Sequence, residues 1–170
     1  SFEVRNCSLA NCSDSSFVNM SDLNNLNLTG QYFQYKAFFT GTSTFDNVTN
    51  SVWIATLDNS VSKMNIFDGT HTEYPLCVSF PVAIAFDNVT NSVWIANGGC
   101  ASVSKINIFD GTRVDYPSVP SPSAIAFDNV TNSMWVTNND TTIQKINIFD
   151  GTAVEYPNSN IMFGIVFDNT

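Results

Sequence analysis

The sequence predicts an all-β chain made of repeated four-stranded antiparallel units, and three observations predict it. The string "FDNVTNSVWIA" at Phe45–Ala55 returns at Phe86–Ala96 and, as "FDNVTNSMWVT", at Phe127–Thr137. The spacing from Phe45 to Phe86 is 41 residues, from Phe86 to Phe127 again 41, and from Phe127 to Phe167 it is 40. Within each period lie four short runs rich in β-branched and aromatic residues, separated by polar turns. No segment long enough for a helix shows apolar spacing of three and four.

In one full period the runs are Ala83–Phe86, Ser92–Ala96, Val103–Phe109 and Arg113–Tyr116. The first two are joined by "DNVTN". The last two are joined by Asp110-Gly111, a dipeptide suited to a two-residue hairpin in which both central residues take positive φ. Pro75, Pro117 and Pro157 follow the last run of each period, where no ladder N–H is required. Four antiparallel strands recurring every 41 residues read as the blades of a β-propeller.

A second marker, Gly followed five residues later by Tyr, extends the count. It occurs at Gly69, Gly111 and Gly151, and also at Gly30. Residues 1–44 therefore read as a divergent copy that supplies strands at Ser16–Val18, Leu23–Leu28 and Tyr32–Tyr35. Copies follow at 45–85, 86–126 and 127–166, and a lone first strand closes the series at 161–170. The expectation is one domain over 1–170 with about four blades, the C-terminal strand completing the N-terminal blade in the same chain or in a neighbouring subunit.

Runs such as "AIAF" and "VWIA" are apolar throughout, as strands covered on both faces should be. Trp53, Trp94 and Trp135 recur at one position and are expected to pack between blades. Each would bury on the order of 150 to 250 Å², worth roughly 4 to 6 kcal/mol before entropy is subtracted. Lys63, Lys105 and Lys145 recur too, as do Glu73, Asp115 and Glu155, and they are expected to pair across the outer hairpin. Asp46, Asp87, Asp128 and Asp168 end the innermost strand, where an aspartate caps a turn or several together bind Ca²⁺; the turn cap is the expected role. The segment "QYFQYKAFFTG" at Gln31–Gly41 concentrates aromatics, as core of an edge blade or as a contact surface.

Forty-four per cent of the 170 residues are apolar, enough for a core, while only 12% are charged. A net charge of -9 with 6 Lys and Arg excludes the clustered cations that nucleic acid or an anionic membrane surface requires. No run approaches the roughly 18 apolar residues of a spanning helix, so no membrane insertion is expected. The start, "SFEVRNCS", lacks the basic and apolar regions of a signal peptide.

Asn-x-Ser/Thr occurs at Asn6, Asn11, Asn19, Asn27, Asn47, Asn88, Asn129 and Asn139, which predicts N-glycosylation and a secreted or cell-surface location. Asn47, Asn88 and Asn129 share one turn position of the repeat. The cysteines are Cys7, Cys12, Cys77 and Cys100. Cys77 follows a fourth strand and Cys100 joins second to third strands, two kinds of connection that emerge on one face, so Cys77 is expected to pair with Cys100 and Cys7 with Cys12. A loop of the Cys77–Cys100 size would contribute about 3 kcal/mol through the unfolded chain. The other reading is free buried thiols. One histidine and no Cys-x-x-Cys leave no metal set, and no phosphate loop or nucleophile triad is present, so no cofactor and no catalysis are expected.

The succession of "KINIFDGT", an acidic residue with Tyr-Pro, a proline before "IAFD" and a Trp in the next strand resembles the repeat of streptogramin (virginiamycin B) lyase-like and NHL-type proteins. The resemblance covers about Leu23 to the end and rests on turn and packing residues. It implies the propeller fold. The lyases it resembles have more blades and use histidines with a metal for elimination, whereas the sole histidine here, His71, sits in an outer hairpin. The reading that follows is an extracellular, glycosylated structural or interaction protein, a surface-layer, appendage or filament subunit that self-associates. The alternatives are a secreted binding module for glycan or protein, and, more weakly, a lyase-like enzyme.

Overall fold

A computed structural model describes residues 2–7, 18–20, 32–37, 42–56, 59–76, 80–158, 160 and 164–167. The chain gathers into two compact units, Ser1–Thr40 and Gly41–Thr170, where the sequence suggested one domain.

In the first unit, β1 (Phe2–Cys7), β2 (Val18–Met20) and β3 (Tyr32–Ala37) form a three-stranded sheet in the order β2-β1-β3. Both neighbours of β1 run antiparallel to it, Phe2 opposite Met20 on one side and Ala37 on the other. The expected strands near Val18 and Tyr32 are there. The central one, Phe2–Cys7, lies outside every repeat marker, and Leu23–Leu28 falls outside the described residues.

The second unit follows the repeat. Three four-stranded antiparallel sheets run β4 (Ser43–Asp46) to β7 (His71–Pro75), β8 (Pro81–Asp87) to β11 (Arg113–Pro117), and β12 (Pro122–Asp128) to β15 (Ala153–Pro157). Between them lie β5 (Ser51–Ala55), β6 (Ser60–Asn65), β9 (Ser92–Asn97), β10 (Ser102–Asn107), β13 (Ser133–Asn138) and β14 (Thr142–Asn147). Each sheet is a meander of consecutive strands, one blade per period, and no helix occurs among the described residues.

The cores lie between blades. One cluster joins Trp53, Ala55 and Val61 of the first blade to Val93, Ile95, Ile106 and Ile108 of the second. The next joins Trp94, Ala96 and Val103 of the second to Met134, Val136, Ile146 and Ile148 of the third. Both faces of β9 are covered, all six of its residues being buried, which is why that strand reads as a continuous apolar run.

The outer hairpin differs from the expected two-residue turn. Asn107 N donates to Thr112 O at 2.9 Å, and Gly111 N to Asn107 O at 3.0 Å, so four residues, Ile108 to Gly111, form the loop. Asn107 Oδ1 starts the turn by accepting from Phe109 N at 2.9 Å, which ends β10 two residues before the expected Phe109. Asp110 Oδ1 then accepts from Thr112 N at 2.9 Å, and only the glycine has positive φ, 72°.

The longer loop changes what meets across it. Lys105 stands opposite Val114 and Ser104 opposite Asp115, so lysine and acid project to opposite faces of the sheet. The first blade matches, with Lys63 opposite Thr72 and Ser62 opposite Glu73. The expected Lys–acid pairs are therefore not made. Asp115 accepts from Ser104 Oγ at 2.6 Å, and Glu73 accepts from Ser60 and Ser62.

The glycine of this turn touches the preceding blade. A Cβ on Gly111 would lie 2.6 Å from Tyr74 Cε1, and one on Gly151 would lie 2.2 Å from Tyr116 Cε1, whereas Gly69 has nothing within 4 Å. Gly69→Ala is expected to lose roughly 1 to 2 kcal/mol for the left-handed backbone alone. Gly151→Ala should lose about twice that, because the Tyr116 ring must also be displaced. Urea unfolding of the two variants checks the difference, and equal losses would remove the packing role of the glycine.

Residues Gly164–Phe167 were expected in the closing strand. They are described and belong to no strand, although the Phe167 ring lies 5.9 Å from that of Trp135, tilted by 45°. The rest of 161–170 lies outside the described residues.

Candidate functional site

The repeat "FDNVTN" builds one structure three times. In the second blade Asp87, buried at the end of β8, accepts from Val89 N at 2.8 Å and Thr90 N at 3.0 Å through Oδ1. Its Oδ2 accepts from Thr90 Oγ1 and, at 3.4 Å, from Trp94 Nε1. Asp46 and Asp128 hold Thr49 with Trp53 and Thr131 with Trp135 in the same way. The aspartates are turn caps, the role expected of them, and both carboxylate oxygens are used. The turn ends on Asn50, Asn91 and Asn132, each with φ of 51–52°, a left-handed conformation that asparagine tolerates. Their recurrence was visible in the sequence and their conformation explains it.

The indole is sandwiched. Trp94 stands directly across from Lys105, whose Nζ lies 5.1 Å from the ring centroid, and Tyr116 stacks on it at 5.2 Å with 11° between planes. Trp53 has Lys63 and Tyr74; Trp135 has Lys145 and Tyr156. The lysine head continues into the next blade. Lys63 Nζ donates to Ile108 O at 2.6 Å and Lys105 Nζ to Ile148 O at 2.7 Å. Burial lowers the pKa of both lysines, with Asp46 and Asp87 pulling the other way, and burial raises the phenol pKa of Tyr74 and Tyr116. Trp53 and Trp94 are fully buried at blade junctions and Trp135 partly so. The lysines are structural, and their place over the indole follows from cross-strand register.

The carboxylates give the fold an acid limit. Burial pushes Asp128 up, but hydrogen bonds from Thr131, Val130 N and Trp135 outweigh it and hold its carboxyl below the ordinary range. Asp68, Asp110 and Asp150 are also lowered, by the hydroxyl and amide of Thr70, Thr112 and Thr152. A folded value below the unfolded one means stability present above about pH 4 and lost as pH falls through the folded values. Thermal melting followed by circular dichroism is expected to show a lower Tm at pH 3 than at pH 7, and an unchanged Tm would contradict these caps.

The connecting segments sort into two faces. Ile66 N donates to Asn50 O, Ile108 N to Asn91 O and Ile148 N to Asn132 O, placing the first-to-second and third-to-fourth turns side by side. Gly98 N donates to Phe80 O and Val119 N to Ala101 O, placing the remaining connections together at the other end.

The first face carries Asn47, Asn88 and Asn129, all exposed. With Phe45, Phe86 and Phe127 they line one cavity of about 310 Å³, made by equivalent positions of three blades. The same face shows the exposed rings Phe67, Phe109 and Phe149. The second face carries Asn139, exposed, and Cys100, which is disulfide-bonded. Cys12 and Cys77 lie outside the described residues, as do Asn11 and Asn27. Asn6 and Cys7 lie in β1 and Asn19 in β2. His71 is exposed at the start of β7, the outermost strand of its blade, and no group of three His, Cys, Asp or Glu suited to a metal occurs among the described residues.

No protein-family model and no curated protein matches the chain. Solved structures do. Hydrazine synthase of Kuenenia stuttgartiensis superposes with a TM-score of 0.64 at 18% identity, over 71% of this chain and 36% of that one. U3-55K gives 0.64 at 12% identity, over 71% and 39%. The WD40 repeats of RRP9 give 0.60 at 13%, over 66% and 36%. This chain thus spans little more than a third of the structures it matches. Likeness at such identities carries fold alone. The chain is an all-β protein of four-stranded antiparallel blades, similar in fold to WD40 and other β-propellers.

Proposed function

We propose that the protein is an extracellular, N-glycosylated structural or interaction subunit that self-associates in a surface layer, appendage or filament and carries out no catalysis. One observation supports this above the rest. The Asp, Thr, Trp, Lys and Tyr that recur in every blade are held by one another or by the next blade, so the repeated chemistry is devoted to building blades. The exposed amides of Asn47, Asn88, Asn129 and Asn139 suit attachment of sugar.

The test is an intact mass of the native protein before and after enzymatic removal of N-glycans, with electron microscopy of the same sample. Excess mass and assembled particles support the reading. An unmodified chain at its sequence mass, in isolated particles, removes it.

A second reading, a binding module for glycan or protein, is favoured by the cavity of Phe45, Phe86 and Phe127 with their asparagines. Sugar on Asn47, Asn88 and Asn129 would stand at its mouth, so occupancy of those three positions decides against it. A finer kinship with streptogramin lyase-like and NHL-type repeats is supported by the recurring Gly turn, Tyr-Pro and Trp of each blade. Lyase chemistry on that pattern would need His71 at a central position, and it lies exposed on an outermost strand.

A further inference from the structure

The two internal blade junctions are copies of each other, and the outer faces of the first and third blades are the two unmatched halves of a third. On the leading side of each junction stand a Trp, a Tyr and a Lys. On the following side stand a turn glycine that leaves room for the Tyr, an isoleucine carbonyl that takes the Lys, and apolar side chains beneath the Trp. Tyr74 lies over Gly111 and Lys63 binds Ile108 O; Tyr116 lies over Gly151 and Lys105 binds Ile148 O.

Among the described residues, the third blade carries the leading set without a following blade. Trp135 and Ile143 are only half-buried where Trp53, Trp94, Val61 and Val103 are fully buried, and Tyr156 is exposed. Lys145 keeps its place over Trp135 but has no carbonyl partner among the described residues. Among the described residues of the second unit, the first blade carries the following set without a leader. Met64 and Ile66 are half-buried where Ile106, Ile108, Ile146 and Ile148 are buried, and no described residue lies within 4 Å of the space over Gly69. Every group missing from one face is present on the other.

We infer that a second copy of this chain completes the junction, its first blade docking on the third blade of the first copy, with Tyr156 over Gly69 and Lys145 Nζ on Ile66 O. The contact is heterologous, as the internal junctions are. Phe167 holds against Trp135 the place that Phe127 of the following blade takes on the cluster of Trp94, and Phe45 is the first blade's residue at that repeat position, so docking exchanges Phe167 for Phe45 of the second copy.

This inference rests on the proposed self-associating subunit and names the contact. The test is sedimentation equilibrium of the full chain over a wide concentration range, for the native sequence and two variants. Gly69→Asn keeps a residue that tolerates the left-handed turn while filling the space over it, and Tyr156→Ala removes the ring that would enter. Tyr156→Ala gives up its stacking on Trp135 and Gly69→Asn adds a side chain at positive φ, so thermal melts of both are run alongside and each is expected to stay folded with a modestly lower Tm. The native chain is expected to associate reversibly, each variant at least tenfold more weakly, and an equimolar mixture of the two to recover association, because the unaltered third blade of Gly69→Asn meets the unaltered first blade of Tyr156→Ala. A native chain that stays monomeric, or an assembly indifferent to both variants, overturns the contact. If the chain proves unglycosylated yet associates through these residues, the extracellular reading fails and the contact stands; glycosylated monomers reverse that outcome.

Discussion

Trp94→Ala is expected to lower stability by about 3 to 5 kcal/mol, the range for deleting a large buried aromatic. The indole is fully buried at the second junction, and its loss exposes three partners at once. Tyr116 loses its stacking surface, Lys105 loses the ring beneath its ammonium, and Asp87 loses the Nε1 donor. The same change at Trp135 should cost less, since that indole is only partly buried. Urea unfolding of both variants gives the comparison, and equal losses would mean that burial between blades is not what holds the tryptophan in place.

Asp87→Ala is the second large effect, about 3 kcal/mol. It leaves Val89 N, Thr90 N and the buried Trp94 indole without the acceptor they share, and a hydrogen bond to a charged group contributes roughly 1.5 to 3 kcal/mol. Asp87→Asn keeps an oxygen for the two backbone amides and gives up the charge, so it should lie between the alanine variant and the native chain. A chemical melt of the three proteins, followed by tryptophan fluorescence, measures the order. If asparagine and alanine lose equally, the cap depends on the charge and not on acceptor geometry.

Much of the second unit was legible because its period is strict. Strands and the buried Trp follow from apolar runs punctuated at the same places three times, whereas the repeat edges drawn at 85/86 and 126/127 cut through β8 and β12. Register across the outer hairpin was not, because Asp-Gly favours a two-residue turn while Asn107 draws Ile108 and Phe109 into the loop, and the change sends Lys105 to the face opposite Asp115. The same shift hid the junction chemistry: nothing in "VSKINIF" says that the lysine reaches a carbonyl some 40 residues on. The strand Phe2–Cys7 escaped because it has no counterpart in the repeat and pairs with β2 and β3 out of chain order. The site reading fared unevenly for a related cause. Exposure of Asn47, Asn88 and Asn129 follows from their turn, but their meeting with three phenylalanines around one cavity depends on how blades fan about an axis, which no single period encodes.

Because the two internal junctions are built from the same residues, and the second blade carries both halves, a stretch of 41 residues can be copied in the gene without inventing a new contact. The heritable unit is then the blade. Duplication adds a member whose two neighbours already fit it, and the near-identity of Phe45–Ala55 with Phe86–Ala96 is what recent copying of such a unit would leave behind. Divergence in one copy's Gly or Tyr would close that route at that joint, so the ancestry of the array can be traced through the residues at its seams.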